Sequence, residues 1–210
     1  MMELDFLRQQ FNYLGKELLD KIFEVSEIIE VAAGTELVRE GQYVKYVPVV
    51  ISGLVKVFIQ TDDKELLLYY IQPEQSCIMS FSAVINGGSS KIFAIAEDDS
   101  QILLIPTQFL TKWVIDYPVI NRLFYKEYEL RYTDLVDTIN ELLYFKLDQR
   151  LLHYLQKKVE ITGKNPIKIL HKEIANDLGT AREVISRLIK KYENQEVLKQ
   201  YTDGIEILEL

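Results

Sequence analysis

Cysteine is nearly absent: Cys77 is the only one in 210 residues. That excludes an internal disulfide framework and any zinc or iron-sulfur site built from several cysteines of one chain, and a reducing, cytoplasmic setting is expected. Long apolar runs are missing too. No stretch of eighteen or more apolar residues occurs, and no basic start followed by an apolar run opens the chain, so neither membrane spanning nor secretion is expected. Positive charge is in deficit, with 24 Lys and Arg against 32 Asp and Glu and a net charge of -8. The overall field therefore repels nucleic acid, and any DNA contact must come from a local basic face. What is present, 48% apolar and 27% charged residues, is ordinary for a globular chain that can build a core without staples.

The opening segment places Leu4, Leu7, Phe11, Leu14, Leu18, Leu19 and Ile22 at helical spacing, with Gly15 as a break between two short helices that cap the strand-rich segment behind them. From Ile28 to Pro106 the texture changes to short β-branched and aromatic runs separated by turn residues: IIEV, AAGTEL, YVPVVI, SGLVKVFIQ, TDDKELLLYYI, KIFAIA and SQILLI. Many short strands at this spacing predict a β-barrel or a double-sheet jelly roll. Beyond Tyr117-Pro118 the period is helical, without Gly or Pro as far as Ile161. In it Tyr125, Tyr128, Tyr132, Leu135, Ile139 and Leu142 follow at alternating steps of three and four, a heptad seam suited to a partner helix. A second stripe of Ile120, Leu123, Phe124, Val136 and Leu143 is expected to face the chain's own barrel. The seam ends near Phe145 to Asp148, where a domain boundary is expected, followed by a helix over 147–158 and the loop ITGKNP. The fold class expected is α+β, with a β-rich domain over 1–117, a long helix over 118–145 and a further domain over 146–210.

The segment from His171 to Glu193, HKEIANDLGTAREVISRLIKKYE, meets the steric demands of two helices crossing at a tight turn. Ile174, Leu178, Ile185 and Leu188 supply a shared core. Ala175 is small at the crossing, and Gly179 tolerates the left-handed conformation that the turn needs. Thr180 is expected to cap the second helix, with Glu183 completing a Thr-x-x-Glu box. Arg182, Glu183, Ser186 and Arg187 then point outward where a recognition helix meets base edges; arginine grips guanine and a carboxylate accepts from cytosine. Residues 171–191 hold five basic against three acidic residues, a local reversal of the chain's sign. Thr180, Lys190, Lys191 and Lys199 are placed for phosphates, the last on a hairpin turned by Thr202-Asp203-Gly204.

On GTAREVISRLIKKYE, on the turn glycines Gly34, Gly41 and Gly53, and on KLDQRLLHYL, the sequence resembles the Crp/Fnr family of bacterial regulators over nearly its whole length. The resemblance implies an N-terminal β-roll sensor domain of the double-stranded jelly-roll type, a long dimerisation helix and a C-terminal winged helix-turn-helix. It implies double-stranded DNA, a second copy of the chain and RNA polymerase as partners, and Arg182, Glu183 and Arg187 on the family's base-reading positions. It further implies an effector pocket around Tyr70, Cys77, Met79, Ser90 and Leu135. There the chain departs from the cyclic-AMP binders: Cys77-Ile78-Met79 and Ser90-Lys91 stand where Gly-Glu-Leu and Arg-Ser or Arg-Thr hold ribose and phosphate, and Leu135 and Val136 replace hydroxyl residues. An anionic phosphate in a partly dry pocket needs a paired cation and donors, so tight cyclic-AMP binding is not expected and the effector is unknown. Nor is an iron-sulfur cluster expected. A regulator without a ligand, a haem or redox sensor using Cys77, and a signalling module that does not bind DNA are the other readings. An enzyme or a metal site is not expected, since a metal-dependent cupin needs histidines converging in the barrel and His153 and His171 both lie beyond it.

Overall fold

The structure is a computed structural model that describes residues 7–61, 64–86, 88–202 and 204–208; Leu4 and Asp203 lie outside the described residues. After a helical turn at 7–10 and a 3₁₀ turn Asn12–Leu14, Gly15 breaks the chain at φ 82° and α1 (Lys16–Val25) begins. Among the described residues the alternating segment then gives seven strands: β1 (Glu27–Val31), β2 (Glu36–Val38), β3 (Tyr46–Ser52), β4 (Val55–Thr61), β5 (Lys64–Ile71), β6 (Phe93–Ala96) and β7 (Ser100–Pro106). They form one sheet in the order β1-β7-β3 and another in the order β2-β6-β4-β5, the double-sheet roll that the spacing predicts.

Strand alternation decides what each face meets. In the first sheet Ile28, Leu103 and Val49 are register partners, as are Ile29, Ile102 and Val50 one position on. The first set packs with Leu18, Ile22, Trp113 and Leu123 into one core beneath the helices, each fully buried side chain contributing roughly 1.5–3 kcal/mol. The second set turns to the other face of the sheet, toward the interior of the roll.

Among the described residues one helix interrupts the strand-rich segment, α2 (Ile78–Asn86), and another follows it directly, α3 (Thr107–Asp116), and neither was legible as such. The run IMSFSAVIN is short and almost wholly apolar, and a run of that kind has no polar face to betray its period. Cys77 consequently sits just ahead of a helix and not within a strand. After the 3₁₀ turn Pro118–Ile120 comes α4 (Asn121–Tyr144), of 24 residues. Its expected inner stripe holds only in its first half. Ile120 and Leu123 are buried and Phe124 meets Phe81 edge-on at 4.0 Å, whereas Val136 and Leu143 are exposed.

By internal contacts the chain divides into two compact units, Met1–Val57 with Tyr69–Asp134, and Phe58–Leu68 with Leu135–Leu210. In the second unit α5 (Leu147–Thr162), α6 (His171–Asp177), α7 (Arg182–Asn194) and the antiparallel pair β8 (Leu198–Tyr201) and β9 (Gly204–Ile207) surround a core of Leu151, Leu155, Ile174, Ile185, Ile189 and Ile205. Ile189, at 0% exposure, takes the place expected of Leu188, which is half-buried. The Tyr154 hydroxyl donates to Asp177 at 2.6 Å and ties α5 to α6 inside this core.

Gly53, at the turn from β3 to β4, has φ +87°, and a Cβ there would lie 2.2 Å from Ser100 Oγ and 2.5 Å from the Asp99 carbonyl oxygen. Gly53→Ala therefore adds both left-handed strain and a clash with backbone, and chemical denaturation is expected to show a loss of about 2 kcal/mol or more.

Candidate nucleic-acid interface

The second helix of the pair, α7, is amphipathic. Ile185, Ile189 and Tyr192 are buried, while Arg182, Glu183, Arg187 and Lys190 are exposed and Ser186 is half-buried beside them. The steps of one, three, one and three residues put these five on one outward face. Among the described residues Arg182, Arg187 and Lys190 make no ion pair, so their charge is uncompensated and faces solvent.

The turn ahead of this helix closes differently from the expected capping box. Gly179 adopts φ +66°, its N–H donates to the Asn176 carbonyl at 3.0 Å, and the Thr180 N–H donates to the Ala175 carbonyl at 2.8 Å. This pair of bonds is the Schellman closure of α6. It consumes Thr180, so the extended residue that opens α7 is Ala181, with φ -89° and ψ 143° and no side-chain cap. The Thr180–Glu183 box is thus absent, and Glu183 is the second residue of the helix. A carboxylate there still gains from the helix dipole, by roughly 0.3–1 kcal/mol. The box geometry occurs instead, in half, at the start of α6, where the Leu170 N–H donates to the Glu173 carboxylate at 2.8 Å.

Around this face lie the other expected contacts. Lys190 projects from α7 and Lys199 from β8, its ammonium 5.1 Å from the Tyr201 ring centre. Lys191 is engaged elsewhere: it donates to Asp148 on α5 at 2.9 Å, which holds the Asp148 carboxyl below its usual range. The Ser186 hydroxyl donates to the Arg182 carbonyl at 3.0 Å and lies 3.0 Å from His171 Nδ1, so it is pinned within the protein. His171 was missed by sequence reasoning, which saw it only as the first residue of the motif. Here it lines, with Lys172, Arg182, Tyr201 and Thr202, a cleft of about 350 Å³ between the start of α6, the start of α7 and the hairpin. Burial and the Arg182 charge lower its pKa below the ordinary histidine value.

The first unit carries a second chemical centre, on the buried face of α4. Arg131, 9% exposed, donates to the Tyr70 carbonyl at 3.2 Å, Gln75 Oε1 at 2.7 Å and Asp134 at 2.7 Å, and its guanidinium covers the Tyr69 ring at 4.3 Å. One turn back, Glu127 is fully buried, 3.7 Å from the same guanidinium, and neither carboxylate oxygen reaches a hydrogen-bond partner. Burial pushes its carboxyl above the usual range, against the pull of the Arg131 charge. Burial and the neighbouring Cys77 likewise push the Tyr69 phenol far up. Sequence reasoning missed both charges, because a Glu and an Arg at this spacing read as an exposed i,i+4 pair.

Of the residues expected to line an effector pocket, Tyr70, Cys77 and Ser90 are buried, Met79 is half-buried and Leu135 is 52% exposed. The Ser90 hydroxyl is already bonded, donating to the Ile92 carbonyl at 2.9 Å. Tyr69 and Tyr70 are both buried, although alternation predicts one inward side chain; Arg131 covers the side of β5 that would otherwise face water. Among the described residues no group of three or more His, Cys, Asp or Glu is arranged to hold a metal ion, and no helix is long and apolar enough to cross a membrane.

Residues 28–117 match the family model of the cyclic nucleotide-binding domain, and residues 149–210 that of the Crp-like helix-turn-helix domain. Among solved structures, a chain assigned to the crp/fnr family of transcriptional regulators, from Eubacterium rectale, is 25% identical with a TM-score of 0.85, over 95% of this chain and 93% of that one. The c-di-GMP responsive global regulator CLP of Xanthomonas campestris is 17% identical with a TM-score of 0.81, over 92% and 99%. A CRP/FNR-family transcriptional regulator of Thermus thermophilus is 19% identical with a TM-score of 0.74, over 88% and 94%. The last two, at such identities, speak for the fold. A comparison with curated proteins finds no match.

A group whose pKa is raised by folding stabilises the fold fully below its unfolded value and loses that contribution as pH climbs through the folded value. Glu127 is such a group. Glu127→Gln, neutral at every pH, is expected to melt roughly 2–4 °C above the parent at pH 8, the equivalent of about 1 kcal/mol at this chain length. The difference should close as pH falls toward 4.5, measured by thermal denaturation across that range.

Proposed function

Since the chain belongs to the Crp/Fnr family of DNA-binding transcription regulators, we propose that it acts as a homodimer on a palindromic operator, under an effector other than cyclic AMP. The observation that carries the DNA reading is the outward face of α7, where Arg182, Arg187 and Lys190 stand without ion-pair partners among the described residues in a chain of net charge -8. Arg182 and Arg187 grip guanine edges and Glu183 accepts from a cytosine amino group. Thr180, Lys190 and Lys199 meet phosphates, which fix register and supply the salt-dependent part of the affinity. Lys191 joins them once it leaves Asp148, an exposed pair of little net worth. Ser186, whose hydroxyl is held by Arg182 and His171, contributes close approach more than hydrogen bonding.

The dimer rests on the seam of α4. Tyr125 is 73% exposed, Tyr132 58% and Leu135 52%, and Tyr128, Ile139 and Leu142 are exposed with them. So long an apolar stripe on one helix suits a self-complementary two-fold interface. Two-fold symmetry then sets the operator half-sites about one helical turn, roughly 34 Å, apart. RNA polymerase is the further partner such a regulator needs in order to change initiation, and the cytoplasm is where it would act.

Against cyclic AMP stand the missing ribose and phosphate residues and the buried Glu127 carboxyl on α4, which has no place beside a dry anionic phosphate. Cys77, 1% exposed against Tyr69, is poorly placed for redox exchange with solutes.

Arg182→Ala and Arg187→Ala are each expected to lose about 1–3 kcal/mol on the preferred sequence and to flatten base preference, in binding selections on a random DNA pool. Glu183→Ala should relax specificity at a stability cost of no more than about 1 kcal/mol, the helix-dipole contribution alone, since it caps nothing. If both arginine variants weakened binding equally on every sequence, the base-reading roles would be wrong. Separately, Tyr132→Glu should turn a dimer into a monomer in sedimentation velocity and weaken operator binding, whereas an unchanged mass would remove the seam from the interface.

A further inference from the structure

Within the first unit, the interior face of the β1-β7-β3 sheet is not fully covered. Ile29 and Leu104 there belong neither to the core under the helices nor to that of the DNA-binding domain. They line, with Val31, Val38, Val44 and Pro48, an apolar cleft of about 300 Å³ floored by the fully buried Ile102. These six side chains are only half-buried, as walls of an open cleft are and as members of a closed core are not. The volume falls at the lower end of the range of small-molecule sites, roughly 300–1,000 Å³.

The mouth has a definite chemistry. Tyr43, 73% exposed, and Tyr46, 43% exposed, flank Lys45. The Glu36 carboxylate at the same rim is taken by Arg39, and Gln42 accepts from the Arg39 backbone N–H. Among the described residues Lys45 makes no ion pair. The unmatched charge at the mouth of an apolar cleft is therefore positive, which complements an apolar body carrying one anionic head. We propose that this cleft binds a medium-chain fatty carboxylate, with the alkyl chain along Ile29, Pro48 and Leu104 and the carboxylate at the Lys45 ammonium between the two tyrosine rings. None of the residues expected to line the effector pocket, Tyr70, Cys77, Met79, Ser90 and Leu135, takes part, so the site is independent of the effector reading above.

Calorimetric titration of the full chain with hexanoate, octanoate and decanoate tests it. Saturable one-to-one binding is expected, tightening roughly fourfold per methylene as each leaves water. Lys45→Gln, at an exposed position, should weaken decanoate roughly three- to fivefold, the most that an exposed ion pair supplies, and leave 1-decanol unchanged. Val44→Trp, which fills the mouth, should abolish binding of both, with circular dichroism reporting an intact fold. No saturable decanoate binding below about 1 mM, or a folded Val44→Trp that binds as the parent does, would overturn the site. Equal weakening of decanoate and 1-decanol by Lys45→Gln would overturn the anionic head.

Discussion

The Arg131 guanidinium holds the N-terminal unit in its form. A nearly buried cation is tolerable only when most of its donors are met, and here its two terminal nitrogens are met from three parts of the chain: Asp134 on its own helix, the Tyr70 carbonyl on β5, and the Gln75 side chain in the turn beyond, while the buried Nε has no partner. With the Tyr69 ring beneath it, Arg131 fixes one face of α4 against β5. Once that face is committed inward, the heptad residues Tyr125, Tyr128 and Tyr132 have to point outward. The inner ion pair and the outer aromatic seam are two consequences of one helix rotation.

Glu127 is the price of that arrangement. It lies one turn before Arg131 on the same inward face and is buried with no hydrogen bond to either oxygen. A buried acceptor left unmade costs on the order of 1–3 kcal/mol, so the interior of this unit is held away from its most stable composition, as functional interiors commonly are. The interior also differs in kind from a cyclic-nucleotide pocket, because its dominant group is a carboxyl and its cation is already committed to protein acceptors.

In the DNA-binding domain the governing constraint is the closure of α6. Gly179 and Thr180 satisfy the last carbonyls of that helix, which delays the start of α7 to Arg182 and places Arg182, Glu183 and Ser186 in its first turn and a half. The hairpin and the start of α6 bring Tyr201, Thr202, His171 and Lys172 around the Arg182 side chain. A cleft beside the outward face of α7 thus arises from residues of three separate elements, and no motif in the chain announces it.

The sequence alone determined the period of each segment, and with it the roll, the long helix, its tyrosine seam and the crossing helices with Gly179 at their turn, because hydrophobic period and turn chemistry are local properties. It left α2 unread, because an apolar run without a polar face carries no phase. It misplaced the cap, because Thr-x-x-Glu spacing does not say which residue the preceding helix has already used. Burial of Glu127 and Arg131, the pinning of Ser186 by His171, the diversion of Lys191 to Asp148 and the open cleft under Tyr43 and Tyr46 were decided only by tertiary structure. Each depends on which distant surface covers a given face, and that is a property of the packed chain and not of any segment in it.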